Sequence, residues 1–310
     1  MKVVSAVLLA LLSVQSFAKT VEDVRIDGLV QMPSARAFDV IGFDKTESYD
    51  SGKVYQAITA LFDTGYFSDI DVYEENNVLV LHLIDQTEQK NLEMKNGKLF
   101  STGNHPIEAL LPMLHLKNAG FDFEIVTPTG KPVVFEMWAF PEKDEHVKAI
   151  FNEHKSSFEN PMKLKDFIDT SLSNTESYAA VFVPGGHGAM IGIPEDENVG
   201  KILNWAHEND LFTVSLCHGP GSFLATTLNN QEFLYEGYNM AVFPDSVDKK
   251  TPMMGYLPGQ MPYGLSEKLK SLGVNLMNTK MDKTVCRDRK LITGSSPLAS
   301  NELGKLAADT

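Results

Sequence analysis

Two short segments constrain the fold more than anything else in the chain. YAAVFVP at 178–184 is a near-continuous apolar run, FTVSL at 212–216 has the look of a second buried strand, and VGKILNWAHEND between them is amphipathic. Strands without a polar face belong to parallel sheets whose two sides are both covered by helices. The flanking sequence extends this pattern. HPIEALLPMLHLKNAG is expected to be a helix stopped at Gly120, FDFEIVTP a strand and KDEHVKAIFNEH a helix. GSFLATTL and SEKLKSLG add helices, while YNMAVFP, VNLMNTKM and KLITGSS add strand candidates. The expectation is an α/β fold with a mostly parallel sheet and helices on both faces. In such sheets the ligand site lies beyond the carboxyl ends of the strands.

The N-terminal residues have a different character. Residues 1–18, MKVVSAVLLALLSVQSFA, have the basic start, apolar run and small-x-small end of a signal peptide. The apolar run is shorter than the ~20 residues of a membrane span. From Lys19 to Asp85 there are 5 basic and 13 acidic residues. The segment should form a small α+β module: a strand ending near Gly28, a helix in SGKVYQAITALFDTGYF that stops at Gly65, and a hairpin across Glu75-Asn76-Asn77. It has one histidine, His82, and no phosphate loop, so binding or spacing suits it better than chemistry. TEQKNLEMKNGKLFSTGN then serves as the junction to residues 86–310. VLVLHLI, at 78–84, could instead be the first strand of that larger part.

Chemistry concentrates in FTVSLCHGPG. Cys217 sits where a buried strand gives way to a helix, and Gly219 and Gly221 permit a tight turn. A thiol on such an elbow faces the helix N–H groups and dipole, which favour a thiolate. This is the nucleophile-elbow pattern with Cys in place of Ser; the alternative is a structural buried cysteine. Gly186 in PGGHG can aim backbone N–H groups at an oxyanion, or simply form a turn. Glu108 in HPIEALL is a candidate buried carboxylate with a raised pKa, or a solvated first-turn charge. Cys286, in polar KTVCRDRK, lacks an elbow and is expected too far from Cys217 for a disulfide.

The formal charge of -14 and the absence of a basic patch exclude affinity gained from phosphate neutralisation, so no nucleic-acid surface is expected. Two cysteines make no disulfide scaffold.

Both parts of the chain resemble known families. VEDVRIDGLVQMPSARAF, ALFDTGYFSDIDVY and NVLVLHLID resemble a POTRA domain of outer-membrane assembly proteins over residues 20–85. FSTGNHPIEALLP, EMWAFPEKDE, YAAVFVPGGHGAMIG, SLCHGPGSFLA, AVFPDSVDK, TPMMGYLPG and DRKLITGSSPLASNELGKLAA resemble the heat-shock protein 31 type of the ThiJ/PfpI superfamily over residues 96–308. That second resemblance implies a flavodoxin-like sheet and a homodimer. It also implies activity as a cofactor-independent glyoxalase III acting on a small dicarbonyl, as a protein deglycase, and as a holding chaperone for unfolded clients. It assigns Cys217 as nucleophile, His218 as its histidine, Asp248 as the acid and Glu108 as the glutamate on the cysteine. Gly186 and the turn after Cys217 would be oxyanion donors. The family's metal site, two histidines and a carboxylate, falls on Lys117, Asp122 and His154. Lys117 therefore replaces an expected ligand, with His115 nearby, and neither metal nor other cofactor is expected. Two further departures are a missing first strand and an end at Thr310 that looks slightly short. A periplasmic address is expected if the N-terminal segment is genuine, and a cytoplasmic one, usual for the enzyme type, otherwise. A chaperone, or a POTRA-type adaptor carrying an enzyme passenger, are the rival functions.

Overall fold

The computed structural model describes residues 91–310 throughout and, before them, residues 19–20, 24–27, 34–42, 48–49, 51–64, 67–75 and 78–85. The signal-peptide expectation for residues 1–18 lies outside the described residues. The chain divides into two compact units, Met1–Gln86 and Thr87–Thr310.

In the first unit, strand β1 (Val24–Asp27), helix α1 (Ser34–Ile41), helix α2 (Ser51–Asp63), and strands β2 (Phe67–Glu75) and β3 (Val78–Asp85) succeed one another in order. β3 is central, parallel to β1 and antiparallel to β2. Its pairings therefore make VLVLHLI part of this unit rather than the first strand of the next. Val80, Leu81, Ala57 and Leu61 are buried, which is why α2 stays on the strands. Helix α1 was not expected from the sequence.

The second unit opens with a short hairpin, β4 (Asn91–Glu93) with β5 (Leu99–Ser101). The polar junction expected here is thus an ordered element. Leu92 and Met94 anchor it in the main core while the turn between them and Leu99 is solvated. Helix α3 (Pro106–Asn118) starts with Pro106 in its first turn, where the missing N–H costs nothing. It ends before Gly120, whose φ is +97°. Helices α4 (Glu145–Glu159) and α6 (Glu197–Glu208) are capped by Asp144 and Asp196, whose carboxylates accept N–H groups of the first turn. Between them lie α5 (Leu164–Ser171) and β6 (Ala180–Val183).

The main sheet is completed by β7 (Phe212–Leu216), β8 (Val285–Asp288) and β9 (Leu291–Gly294), in the order β6-β7-β9-β8. β6, β7 and β9 are parallel, and β8 returns antiparallel along β9. Side chains alternate across it: Val214, Leu216 and Ile292 join Leu116 of α3 and Leu303 of the C-terminal helix (Ser300–Ala308). Leu291 joins Leu203, Phe223 and Tyr235 in the core on the opposite face. Thr213, on that face, is satisfied by the Tyr235 hydroxyl at 3.3 Å. The result is the expected α/β sheet with helices on both sides. FDFEIVTP and YNMAVFP contribute only two-residue strands, Val126–Thr127 and Asn239–Met240. The polar stretch KTVCRDRK supplies β8, because an edge strand with one wet face needs few apolar residues.

Candidate active site

Parallel β6 and β7 deliver the loops at their carboxyl ends to one place. After β7 the chain turns sharply at Cys217, a non-glycine residue with φ +57°. Such a conformation is strained for a residue with a side chain, and its neighbours hold it on both sides. The Cys217 N–H donates to the Gly294 carbonyl at 2.8 Å, and the Phe243 N–H donates to the Cys217 carbonyl at 3.0 Å. The helix expected next runs instead as 3-10 turns over Gly219–Asn230, broken by non-helical backbone at Leu228 and Asn229. Gly219 is wedged against the Val183 and Pro184 carbonyls, which leaves no room for a side chain there.

The structure brings Cys217, His218, Asp248 and Glu108 together. Cys217 Sγ lies 3.4 Å from His218 Nδ1, and His218 Nε2 lies 2.9 Å from Asp248 Oδ2. All three residues are buried, and the His218 ring is held between His187 and Phe243, with centroids 4.2 and 4.5 Å away. Burial alone would raise the Asp248 carboxyl. The adjacent His218 imidazole and hydrogen bonds from His187 and His218 outweigh it and hold Asp248 well below the usual carboxylate range. Asp248 therefore carries its charge where it can orient an imidazole.

Glu108, in the first turn of α3, is wholly buried. Neither carboxyl oxygen makes a conventional hydrogen bond, and the Cys217 thiol lies against them. Burial pushes the Glu108 carboxyl well up, so the acid is held in its neutral form. Burial, and then the neighbouring Glu108, push the Cys217 thiol up as well. The sequence pattern suggested a thiolate stabilised by a helix dipole. The enclosed site instead keeps the resting thiol protonated, with His218 in place to accept the proton.

Gly186 has φ +108°, and a Cβ there would collide with the Gly103 carbonyl oxygen. The loop is held down by the His105 N–H on the Gly185 carbonyl at 3.0 Å and the Gly188 N–H on the Gly103 carbonyl at 3.2 Å. A Cβ on Gly185 would strike Glu108 Oε2. The glycines thus let the loop pass directly beneath the thiol.

Three participants escaped sequence reasoning. His187 shares Asp248 with His218, its Nε2 lying 3.3 Å from Asp248 Oδ1. Burial, then the neighbouring His218, lower its pKa. Its place in PGGHG was visible, but only the fold shows that the ring turns inward. Tyr256 and Phe100 pack around it.

The expectation of no metal site is overturned here. His187, His218 and Asp248 offer three ligand atoms that all lie within 4.8 Å of one another, in a buried cluster. Two imidazole nitrogens and a carboxylate oxygen form a donor set suited to zinc-like cations. Lys117 displaces no ligand of this set. It pairs with Asp122 at 2.8 Å and Glu153 at 2.9 Å, and His154 packs edge-on against Phe123. His115 instead contacts Asn301 at 2.9 Å.

Comparison with known proteins agrees with this architecture. The DJ-1/PfpI family profile matches residues 99–234. Protein/nucleic acid deglycase HchA of Escherichia coli O1:K1 is 52% identical over 226 residues, covering 73% of this chain and 79% of the relative. The protein of the same name in Escherichia coli O157:H7 is 51% identical over the same length. Among solved structures, glyoxalase III of Candida albicans superposes with a TM-score of 0.55 at 21% identity, covering 70% of this chain and 92% of that one. The Rapid Encystment Protein of Francisella tularensis gives 0.59 at 18% identity, covering 71% and 93%. At such identities the two structures speak for the fold alone. The POTRA-type likeness of residues 20–85 gains nothing from these relatives. With half of its aligned residues shared with HchA and the elbow at the end of a parallel strand, the chain belongs to the DJ-1/PfpI family and is an enzyme of the HchA type.

Proposed function

We propose that the chain is a glyoxalase III that converts methylglyoxal to lactate through a covalent adduct on Cys217. The observation that carries this is the buried thiol set between the His218 imidazole, 3.4 Å away, and the neutral Glu108 carboxyl. In the first step His218 Nδ1 takes the thiol proton while the sulfur attacks the aldehyde carbon, and the proton passes to the carbonyl oxygen. Asp248 keeps the imidazole oriented throughout. N–H groups of Gly186 and the turn after Cys217 hold the developing oxyanion. Glu108 gives its proton to the ketone oxygen and takes the one on the former aldehyde carbon, forming an enediol; it then delivers that proton to the neighbouring carbon and recovers one from the adjacent hydroxyl, leaving a lactoyl thioester. Water hydrolyses that thioester, frees lactate and returns the proton to sulfur. No external oxidant or reductant is needed, because the aldehyde carbon is oxidised as its neighbour is reduced. The name of the HchA relatives supports a second use of the same thiol, on carbonyl adducts of amines.

Residues 86–310 would carry this chemistry, with residues 19–85 as an appended module. The test is lactate formation from methylglyoxal by the full chain. Cys217→Ala should abolish turnover and Cys286→Ala should leave it nearly intact, since Cys286 lies in β8 with its thiol directed to the Asn239 carbonyl. Equal activity of Cys217→Ala and the parent defeats the proposal.

A further inference from the structure

Two rings outside the proton-transfer machinery stand beside it. Phe100 of β5 and Tyr256 lie 5.7 Å apart between centroids, and each lies 5.8 Å from the His187 ring, so the three form a nearly equilateral triangle. His187 in turn stacks at 4.2 Å on His218, the residue against the Cys217 sulfur. Tyr256 reaches the same site through its contact with His187, and burial pushes its phenol up. Its loop turns outward just before, where Met253 and Met254 are 79% and 78% exposed, and Gly255 reverses the chain with φ +75°. Tyr256 thus joins an exposed turn to the rings that border a cysteine only 3% exposed.

The two strips that carry these rings are fastened together. Asn96 Nδ2 donates to the Pro258 carbonyl at 3.0 Å, and the Lys95 N–H donates to the Gln260 carbonyl at 2.9 Å. Gly259 approaches Asn96 so closely that a Cβ would lie 2.5 Å from its Oδ1. Leu92 and Met94 on one strip and Leu257 and Met261 on the other enter the same core. Rings held on two stitched strips are a fixed wall rather than a mobile flap.

We propose that Phe100 and Tyr256 form a fixed aromatic ceiling over Cys217 that favours dicarbonyls with a methyl-sized substituent over those with an aryl-sized one. The proposal builds on the glyoxalase reading, but the ceiling itself is a property of access to the thiol. Removing a ring opens apolar volume where a larger substituent can sit, and discrimination by such volume amounts to about tenfold or more.

The test compares the parent with Phe100→Ala, Tyr256→Ala and Tyr256→Phe, all in a Cys286→Ala background. The first readout is kcat/KM for phenylglyoxal relative to methylglyoxal. The second is the rate of Cys217 alkylation by N-benzylmaleimide relative to iodoacetamide, which requires no turnover. Both ratios should rise about tenfold or more in each alanine variant, and stay at the parent's values in Tyr256→Phe, which keeps the ring. Ratios unchanged in a folded Phe100→Ala or Tyr256→Ala protein overturn the ceiling. So does a Tyr256→Phe protein that behaves like Tyr256→Ala, since the hydroxyl would then be the discriminating group. A parent that makes no lactate from methylglyoxal defeats the glyoxalase reading instead, and the alkylation ratio then decides the ceiling by itself.

Discussion

Glu108 shows how strongly a single position can depend on burial. Its sequence context offered either a solvated first-turn charge or a buried acid, and only packing decides between them. In the unfolded chain its carboxyl titrates near 4.5; in the fold it titrates well above. The folded protein therefore binds a proton that the unfolded chain releases, and this stability is present at acid pH and lost as pH rises through the folded value. Glu108→Gln removes the titration, so denaturant unfolding should show its stability gaining on the parent's from pH 5 to pH 8. A constant difference across that range contradicts the buried neutral acid. Cys217 was legible from its strand–Cys–His–Gly context, but its protonation was not, since local sequence does not report desolvation. The same holds for His187, which sequence shows as part of a glycine loop and the fold shows as a partner of Asp248. Because His218 cannot both donate Nε2 to a metal and work against Asp248, added zinc should lower turnover and a chelator should restore it. Turnover indifferent to excess zinc contradicts occupancy of the His187–His218–Asp248 cluster.

At the scale of elements, the glycine loop after β6 tolerates little change. Gly186 needs both its positive φ and the space that a Cβ would take from Gly103. Gly186→Ala should cost at least about 2 kcal/mol of stability, measured by denaturant unfolding, and should reduce turnover with it. A protein as stable as the parent contradicts the close approach. Sequence located α3, α4, α6, β6, β7 and β9 well, because long amphipathic periods and doubly apolar strands leave few alternatives. It failed at β8 and at the β4–β5 hairpin, whose outward faces are polar and whose pairing partners lie far along the chain. That pairing also bears on the cysteines. Cys286 is in register with Thr293, and Thr293 with Ser215, so Cys286 sits two strands away, roughly 10 Å, from the strand that ends at Cys217. Oxidation of the folded protein should yield no Cys217–Cys286 disulfide by non-reducing peptide mapping, and finding that bond contradicts the register.

For the whole molecule, the order of the sheet puts two parallel strand ends side by side, and that adjacency gathers β6's glycine loop and β7's cysteine into one site. The formal charge of -14 gives the chain a net negative field. Salt should leave kcat/KM for neutral methylglyoxal unchanged and raise it for a dicarbonyl adduct of a nucleotide, whose phosphates the chain repels at low ionic strength. A fall with salt for the nucleotide contradicts that field. The family was legible because its blocks surround the site in order; Phe100 and Tyr256 were not, because two distant segments had to be brought together before their rings acquired a shared purpose. Covalent carriage of the substrate by Cys217 is the central claim, and acid-quenched mass spectrometry during methylglyoxal turnover tests it most directly. A mass increment equal to one methylglyoxal is expected on the Cys217 peptide, absent from the Cys286 peptide and from Cys217→Ala protein. Lactate formed at the parental rate by Cys217→Ala, with no adduct on Cys217 in the parent, would contradict it.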